Sequence, residues 1–367
     1  MKIALDMRTL NIVTGGIERY TIRVYQELLK KNQDLFYPFP FNMNTSLDFN
    51  NKLKFTFEMS TSDWELSRKT ELLLAELNHI DLLFSPYVPI SSIGNYKKVL
   101  TIHDLIPITS PELVHSSNSF DFLNNNIRRS AETCDVIITD SEFSKREIIK
   151  CYGVPEEKVK VIYLGHDISN PNEINFKEYL INLGLEDVPY ILAVGAMEKR
   201  KNLTKVLEVF ERLKTYETYS KYKLVLTGAL RGDNSEFINA YEHHPNRDDI
   251  IVTGFVEDEV LIVLYQNTQV FLFLSLCEGF GLPILEAMAM GAPVITSNKS
   301  SLPEVGGDAA AYCDPTDIHS IEAALLNVLE DEELRKEMVK KGFERSTQFT
   351  WEKTAGQLLK VFEELLN

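Results

Sequence analysis

The chain has 367 residues, of which 44% are apolar and 25% charged, so it is long enough for two domains and ordinary in composition for a folded protein. The formal net charge is −16 and lies mainly in the second part, because residues 1–170 carry 19 basic and 22 acidic side chains whereas residues 171–367 carry 19 and 32. A general nucleic-acid-binding surface is therefore not expected.

The four cysteines show no CxxC spacing, so the sequence predicts neither a zinc site nor a disulfide framework. The chain opens on a strand pattern without an apolar signal segment, and no window is long enough to span a bilayer. We therefore expect a cytoplasmic protein. The near-neutral first part leaves room for a local basic patch that would bind a membrane surface or a lipid phosphate.

Apolar runs and helical patterns alternate along the first part of the chain, which favours a parallel sheet covered on both faces. The predicted strands are 3–6, 36–39, 53–57, 82–85, 99–103, 136–140 and 159–164, and the predicted helices are 17–30, 65–77, 120–131 and 142–151.

A second alternating series follows a polar stretch that is rich in Asn and Pro. Its predicted strands are 190–194, 224–227, 250–253, 270–274 and 294–297, and its predicted helices are 203–213, 257–265, 318–329, 332–343 and 351–366. The sequence thus predicts two doubly wound α/β domains in succession.

Glu278 and Glu286 bracket the most informative turn of the chain. The turn follows an apolar run typical of a buried strand and precedes a helical pattern that ends at Gly291. Gly279 and Gly281 would let backbone N–H groups approach a ligand closely, and a helix start attracts anions. Because open α/β sheets bind ligands at the carboxyl ends of strands, the turn suits a nucleotide-sugar, with phosphates on the amides and hydroxyls on the acids.

Arg200 and Lys201 follow Gly195 and stand just before the helix that starts near Asn202. Two adjacent cations add to the positive potential of a helix start, and an anionic ligand would resolve that conflict. Arg can grip a phosphate with two N–H groups, and Lys supplies a point charge. A solvated basic turn is the simpler alternative, but the position after a strand favours a phosphate site.

Other motifs allow two interpretations when taken alone. Gly15 and Gly16 open a helix and would suit an anion, although the pattern is not GxGxxG and a simple turn explains it better. His103 ends an apolar run and would either face a ligand crevice or pair with Asp104 as a structural histidine. Phe255 follows a predicted strand, and packing in the core is its simpler interpretation.

Together these motifs resemble, in the same order, those of the retaining glycosyltransferases with the GT-B fold, a large family marked by an E-x7-E motif. The resemblance implies two Rossmann-like domains that face a cleft, with residues 1–168 binding the acceptor, residues 169–187 as a linker and residues 188–350 binding the nucleotide-sugar. It also implies that the last helix, 351–367, crosses back onto the first domain.

The resemblance also implies the roles of individual residues. Glu278 would hold donor-sugar hydroxyls, Arg200 and Lys201 would stabilise the departing diphosphate, and Glu286 would bind the ribose. His103 would contact the donor sugar near its reacting face. Further contacts with the donor are expected from Gly15, Gly16, Gly195, Asn202, Gly254, Phe255, Val256, Gly279, Phe280, Gly281 and Leu282. The nucleotide-sugar is a substrate, so no cofactor is expected. The sequence shows no cluster of acidic residues with metal-ligand spacing, so no metal is expected either.

Within this family the resemblance is nearest to bacterial O-antigen and exopolysaccharide mannosyltransferases, through the segments 16–20, 103–105, 200–202 and 301–305. GDP-mannose is therefore the leading donor, with UDP-sugars and dTDP-rhamnose as alternatives, and the implied acceptor is a saccharide or a polyprenyl-linked saccharide. Three other interpretations remain. They are a nucleotide-sugar binding protein without catalysis, a sugar-nucleotide epimerase, and an inverting transferase that uses Asp104 or His103 as its base.

Overall fold

Parallel strands alternate with helices through most of the described chain. The structure is a computed structural model, and it describes residues 2–7, 10, 15–32, 34–39, 46–47, 53–54, 79–87, 90, 94–114, 120–167, 176–229 and 234–367. It divides into two compact units. The first comprises residues 1–105, 118–165 and 350–367, and the second comprises residues 106–117 and 166–349.

The first unit contains a six-stranded sheet in which every neighbouring pair is parallel, in the order β2-β1-β5-β6-β7-β8. A separate two-stranded antiparallel pair is formed by β3 and β4. The strands are β1 Ile3–Asp6, β2 Phe36–Phe39, β3 Ser46–Leu47, β4 Leu53–Lys54, β5 Leu82–Ser85, β6 Lys97–Thr101, β7 Val136–Thr139 and β8 Val159–Val161.

The second unit contains another six-stranded parallel sheet, in the order β11-β10-β9-β12-β13-β14. This order is that of a doubly wound Rossmann sheet. The strands are β9 Tyr190–Val194, β10 Lys223–Thr227, β11 Ile250–Gly254, β12 Val270–Phe273, β13 Val294–Ser297 and β14 Ala310–Cys313.

Helices connect these strands. They are α1 Gly16–Lys31, α2 Ile106–Thr109, α3 Phe120–Thr133, α4 Glu142–Tyr152, α5 Phe176–Asn182, α6 Leu203–Leu213, α7 Ser235–Glu242, α8 Asp258–Asn267, α9 Leu282–Ala289, α10 Leu302–Gly306, α11 Ile318–Glu330, α12 Glu332–Ser346 and α13 Trp351–Leu366. No helix in the described part of the chain is both long and apolar enough to cross a bilayer.

The predicted fold class, two doubly wound parallel sheets covered by helices, is confirmed. Within the stretch predicted as a linker, Phe176–Asn182 forms α5, which contacts α8. The strand β14 was not predicted, because two of its four residues are alanine, a poor strand former. The predicted helix 65–77, the end of the predicted strand 53–57 and the start of the predicted linker lie outside the described residues.

The core of the second unit lies between its sheet and the helices α6 and α11. The buried side chains of Val206, Phe210 and Leu325 pack there with Leu224 and Leu272 of the strands. Fully burying one such side chain contributes about 1.5–3 kcal/mol to folding. The sheet is therefore rigid enough to hold the loops that follow its strands.

The chain leaves the first unit at Gly165 and re-enters it at α13, and these two segments touch. A Cβ on Gly165 would lie 2.2 Å from the backbone N of Trp351 and 2.6 Å from the carbonyl carbon of Thr350, so only glycine fits. The Thr354 hydroxyl donates to the carbonyl of Tyr163 at 2.7 Å. The same unit brings α13 against α1, as the fold prediction required of the last helix.

We expect Gly165→Ala to destabilise the protein by at least about 1–3 kcal/mol, since the added methyl meets backbone atoms that cannot rotate away. The matched control is Gly356→Ala in α13, where the nearest atom to the added Cβ is the flexible Lys31 Nζ at 3.9 Å. Ala should stabilise that helix by about 1 kcal/mol. Thermal denaturation of both variants checks this, and a Gly165→Ala midpoint at or above wild type would contradict it.

Candidate active site

The strands β9 and β12 are neighbours at the centre of the second sheet, although β10 and β11 lie between them in sequence. The strand order reverses at this point, and open α/β sheets bind their ligands in the crevice outside such a reversal. The loop after β9 carries Arg200 and Lys201, and the loop after β12 carries Glu278. The two most informative motifs of the sequence therefore converge.

Glu278 joins both cations through its carboxylate. Its Oε1 lies 2.5 Å from Lys201 Nζ, and its Oε2 lies 2.5 Å from Arg200 Nη1. Arg200 Nε also donates to Glu198 at 2.9 Å. We call these four side chains the ionic quartet, and its two cations and two carboxylates carry no net charge. The side chains of Glu278 and Lys201 are each 10% exposed, so bulk water screens their interaction little.

Burial alone would raise the pKa of Glu278, but the charges of Lys201 and Arg200 outweigh it and hold that pKa at about 2. Burial lowers the pKa of Lys201, and the nearby Glu278 carboxylate opposes that shift. Because the pKa of Glu278 lies below its ordinary value of 4.5, its ionised form stabilises the protein above that pH. This contribution is lost as the pH falls toward 2.

Asn202 fixes the turn that carries Arg200 and Lys201. This residue has a φ of 57°, a left-handed conformation that Asn tolerates better than most residues, and it is 7% exposed. Its side-chain amide donates to the carbonyls of Leu274 at 3.2 Å and Pro315 at 2.7 Å. The N–H of Leu276 donates to the carbonyl of Arg200 at 2.8 Å. Asn202 thus ties the loops after three strands together, and its predicted contact with the donor stays a prediction.

The ends of β9, β10 and β11 carry Gly195, Gly228 and Gly254. A Cβ on Gly228 would lie 1.9 Å from the carbonyl oxygen of Gly195, so the two backbones approach closely there. Sequence analysis missed Gly228, although like the other two it ends a predicted strand. Phe255 is 75% exposed, so the core-packing interpretation is wrong and its ring is open to a ligand. Val256, beside it, is half-buried.

Two serines after β13 hold the backbone around Glu278. The Glu278 N–H donates to Ser300 Oγ at 3.0 Å. The Ser301 hydroxyl, which is fully buried, lies 2.9 Å from the carbonyl of Glu278 and 2.6 Å from that of Phe280. Ser300 adopts a φ of 53°, which is uncommon for a residue other than Gly, Asn or Asp. The structure thus shows that these two serines fix the turn.

The helix α9 starts at Leu282, directly after this turn, with Gly281 as its N-cap. Gly279 and Phe280, which precede it, are buried. Glu286, inside the helix, is 5% exposed and accepts a hydrogen bond from the hydroxyl of Tyr265 at 3.4 Å. The positive end of α9 therefore lies beside the ionic quartet, and the two features favour an anion together.

The first unit carries His103, which follows β6. Its Nδ1 lies 2.7 Å from Asp140 Oδ2 and its Nε2 lies 3.1 Å from the carbonyl oxygen of Pro86. The predicted alternative, a pair with Asp104, is therefore wrong. Asp140 follows β7, the neighbour of β6 in the sheet, so strand order was the signal that could have found it.

Gly15 and Gly16 begin α1, as the sequence predicted. Both are exposed, and the Gly15 N–H donates to Glu18 Oε2 at 3.4 Å. A Cβ on either glycine would meet no described atom within 4 Å. The space beside them is therefore open, and their predicted contact with a ligand stays a prediction.

Two family models match the chain, one in each part. The family described as Glycosyltransferase Family 4 matches residues 14–170, and the family described as Glycosyl transferases group 1 matches residues 175–345. O-antigen chain mannosyltransferase B of Escherichia coli is 33% identical over 271 residues, which are 73% of this chain and 71% of that protein. Serotype-specific mannosyltransferase WbdA of Escherichia coli is 31% identical over 277 residues, which are 74% of this chain and 34% of that protein.

Among solved structures, sucrose-phosphate synthase from Thermosynechococcus elongatus superimposes with a TM-score of 0.76 at 18% identity, covering 100% of this chain and 99% of that one. The chain therefore has the GT-B fold. The chain belongs to the GT-B glycosyltransferases, in the family of the O-antigen mannosyltransferases. It is a glycosyltransferase, as the resemblance of its motifs implied.

We expect Glu278→Gln and Lys201→Ala to separate catalysis from binding of the diphosphate. Both should lower turnover by about 10²–10³, as removal of one preorganised electrostatic contact does in other enzymes. Lys201→Ala should also weaken binding of a nucleoside diphosphate. Glu278→Gln should bind it as well as wild type or better, because a carboxylate no longer competes for the two cations. Initial rates and calorimetry check this.

The matched control for these variants is Lys205→Ala. Lys205 lies in the first turn of α6 and forms a partly exposed pair with Glu208, so both turnover and binding should stay near wild type. Circular dichroism verifies that each variant folds. Equal loss of diphosphate affinity in Glu278→Gln and Lys201→Ala would show that the carboxylate does not compete for the cations.

Ser300 provides a second test, because Gly and Ala at this position differ in how much the left-handed backbone conformation strains them. Both variants leave the Glu278 N–H without its acceptor, a loss of about 1–3 kcal/mol, and turnover should fall about tenfold or more in each. Gly accepts a φ of 53° freely and Ala does not, so Ala should be less stable by about 1 kcal/mol. A Gly variant with wild-type turnover would show that the hydroxyl does not position Glu278.

Proposed function

We propose that the chain is a retaining, metal-independent mannosyltransferase. It would move mannose from GDP-mannose to a saccharide or polyprenyl-linked saccharide acceptor during synthesis of a cell-surface polysaccharide. The observation that carries the proposal is the ionic quartet at the switch point of the second sheet, in a chain related to two mannosyltransferases. A polyprenyl-linked acceptor would bring the enzyme to the cytoplasmic face of the inner membrane in peripheral contact.

The quartet suits a sugar diphosphate because it offers both kinds of contact at one place. Arg200 and Lys201 would bind the diphosphate and stabilise the charge that grows on it as the bond to the sugar breaks. Glu278, held 2.5 Å from both cations, would accept hydrogen bonds from the sugar hydroxyls. The exposed ring of Phe255 would stack on the base, and Glu286 would bind the ribose.

The proposed retention of the donor's anomeric configuration rests on which group can take the acceptor's proton. If the acceptor attacks from the face that the diphosphate leaves, the departing phosphate oxygen can take the acceptor's proton, and no side-chain base is needed. His103 supports this course over inversion, because Asp140 and Pro86 already engage both of its ring nitrogens. The proposed absence of a metal rests on Arg200 and Lys201, which supply the positive charge that a divalent ion would bring.

A UDP-sugar or dTDP-rhamnose donor would use the same quartet, since the quartet contacts the part that all these donors share. A nucleotide-sugar binding protein and an epimerase are the remaining alternatives. The first would bind a donor without turnover, and the second would convert a donor without an acceptor. One set of measurements separates all of these.

The experiment begins with calorimetry on GDP, UDP, dTDP and ADP. We expect GDP to bind most tightly and to raise the midpoint of thermal denaturation. With GDP-mannose and an oligomannose acceptor, NMR of the product should show the α configuration of the donor. The rate should be the same in excess EDTA as in Mg²⁺. A β product would overturn retention, and loss of activity in EDTA would overturn metal independence. If UDP bound more tightly than GDP, the proposed donor would be a UDP-sugar instead of GDP-mannose.

A further inference from the structure

Both ring nitrogens of His103 are engaged inside the first unit. Nδ1 lies 2.7 Å from Asp140 Oδ2, and Nε2 lies 3.1 Å from the carbonyl oxygen of Pro86. A carbonyl oxygen only accepts hydrogen bonds, so Nε2 carries a hydrogen. A separation of 2.7 Å is typical of an N–H donor that is charged and a carboxylate acceptor. The contact therefore fits a hydrogen on Nδ1 as well, which would make the ring an imidazolium beside an ionised Asp140.

We infer that Asp140 is a positioning residue that keeps His103 protonated on both nitrogens, as a fixed cation at the carboxyl edge of the first sheet. The inference rests on the proposed function for its chemical consequence. A histidine in this state has no lone pair to accept a proton from the acceptor. On the proposed function, its positive charge would favour a reaction in which negative charge grows on the leaving diphosphate.

The surroundings of Asp140 and His103 favour a carboxylate paired with an imidazolium. Asp140 is 3% exposed, and its Oδ1 accepts no hydrogen bond from any described residue. Burial raises the pKa of Asp140, and the adjacent His103 opposes that shift, so the carboxylate needs a counter-charge to stay ionised. His103 supplies it at 2.7 Å. The ring of Tyr20 meets the imidazole edge-on, at 4.8 Å between centroids and 88° between planes, and fixes its orientation.

The groups that act on His103 come from three elements. Asp140 follows β7, Asp104 follows β6, and Tyr20 belongs to α1. Burial lowers the pKa of His103, but Asp140 and, more weakly, Asp104 raise it, and the net direction is upward. Burial raises the pKa of Tyr20 well above its ordinary range, so its hydroxyl stays neutral.

The charge of His103 and the stability it brings depend on pH. Because the pKa of His103 is raised in the folded protein, the imidazolium and the stability it brings are present below the ordinary value of 6.5. Both are lost as the pH rises through the higher folded value. Asp140→Asn removes the carboxylate at nearly constant size. The pH at which turnover declines should then move down by about one unit or more.

The experiment combines this pH profile with ¹⁵N NMR of histidine-labelled protein. The chain has seven histidines, and the signals missing from His103→Gln assign those of His103. In wild type near pH 7 we expect both nitrogens of His103 to carry hydrogen. In Asp140→Asn one of them should lose it. The matched control is Asp104→Asn, where the profile and spectrum should change much less.

Three outcomes decide the inference. A neutral His103 in wild type would overturn it, and this measurement does not depend on whether Asp140→Asn folds. An unchanged pH profile in a folded Asp140→Asn would reduce Asp140 to a structural role and also overturn it. If wild type transfers no sugar from any donor, the proposed function fails, while the NMR result still decides the state of His103.

Discussion

The buried carboxylate of Glu278 sets the constraint on which the rest of the second unit depends. A carboxylate on a side chain that is only 10% exposed is stable as an ion only where cations compensate it, and Lys201 lies 77 residues away in sequence, with Arg200 beside it. The loop that carries both cations reaches Glu278 because β9 and β12 are neighbours in the sheet. Asn202, whose left-handed conformation shapes that loop, therefore helps to hold the two cations beside Glu278.

Both sheets use the same principle at their carboxyl edges. In the second sheet, the loops after β9, β12 and β13 supply the cations, the carboxylate and the serines that hold its backbone. In the first sheet, the residues that follow β5, β6 and β7 are Pro86, His103 and Asp140, which bond to one another. Parallel strands point their carboxyl ends to one edge, so residues distant in sequence meet there without long connecting loops. Each unit thus holds a paired buried charge at the carboxyl edge of its sheet.

The sequence predicted most strands because buried parallel strands are continuous apolar runs, and it predicted the Glu278 and Arg200 motifs because each stands at the end of such a run. It did not predict β14, whose alanines carry a weak strand signal. The predicted pairing of His103 with Asp104 was wrong for a different reason. Asp104 is adjacent in sequence, whereas Asp140 is adjacent only once the order of strands is known. The buried position of Asn202 was also beyond reach, since Asn is common in exposed turns.

The neutrality of the ionic quartet has a consequence for which ligand binds best. Without a ligand, Arg200 and Lys201 already have carboxylate partners, so a diphosphate must draw them away from Glu278. The buried carboxylate then needs new donors, because leaving it unpaired is costly. A free nucleoside diphosphate brings none, whereas the hydroxyls of an intact nucleotide-sugar supply them. On the proposed function, the quartet thus favours the donor over the spent nucleotide, and transfer of the sugar itself weakens the hold on the product.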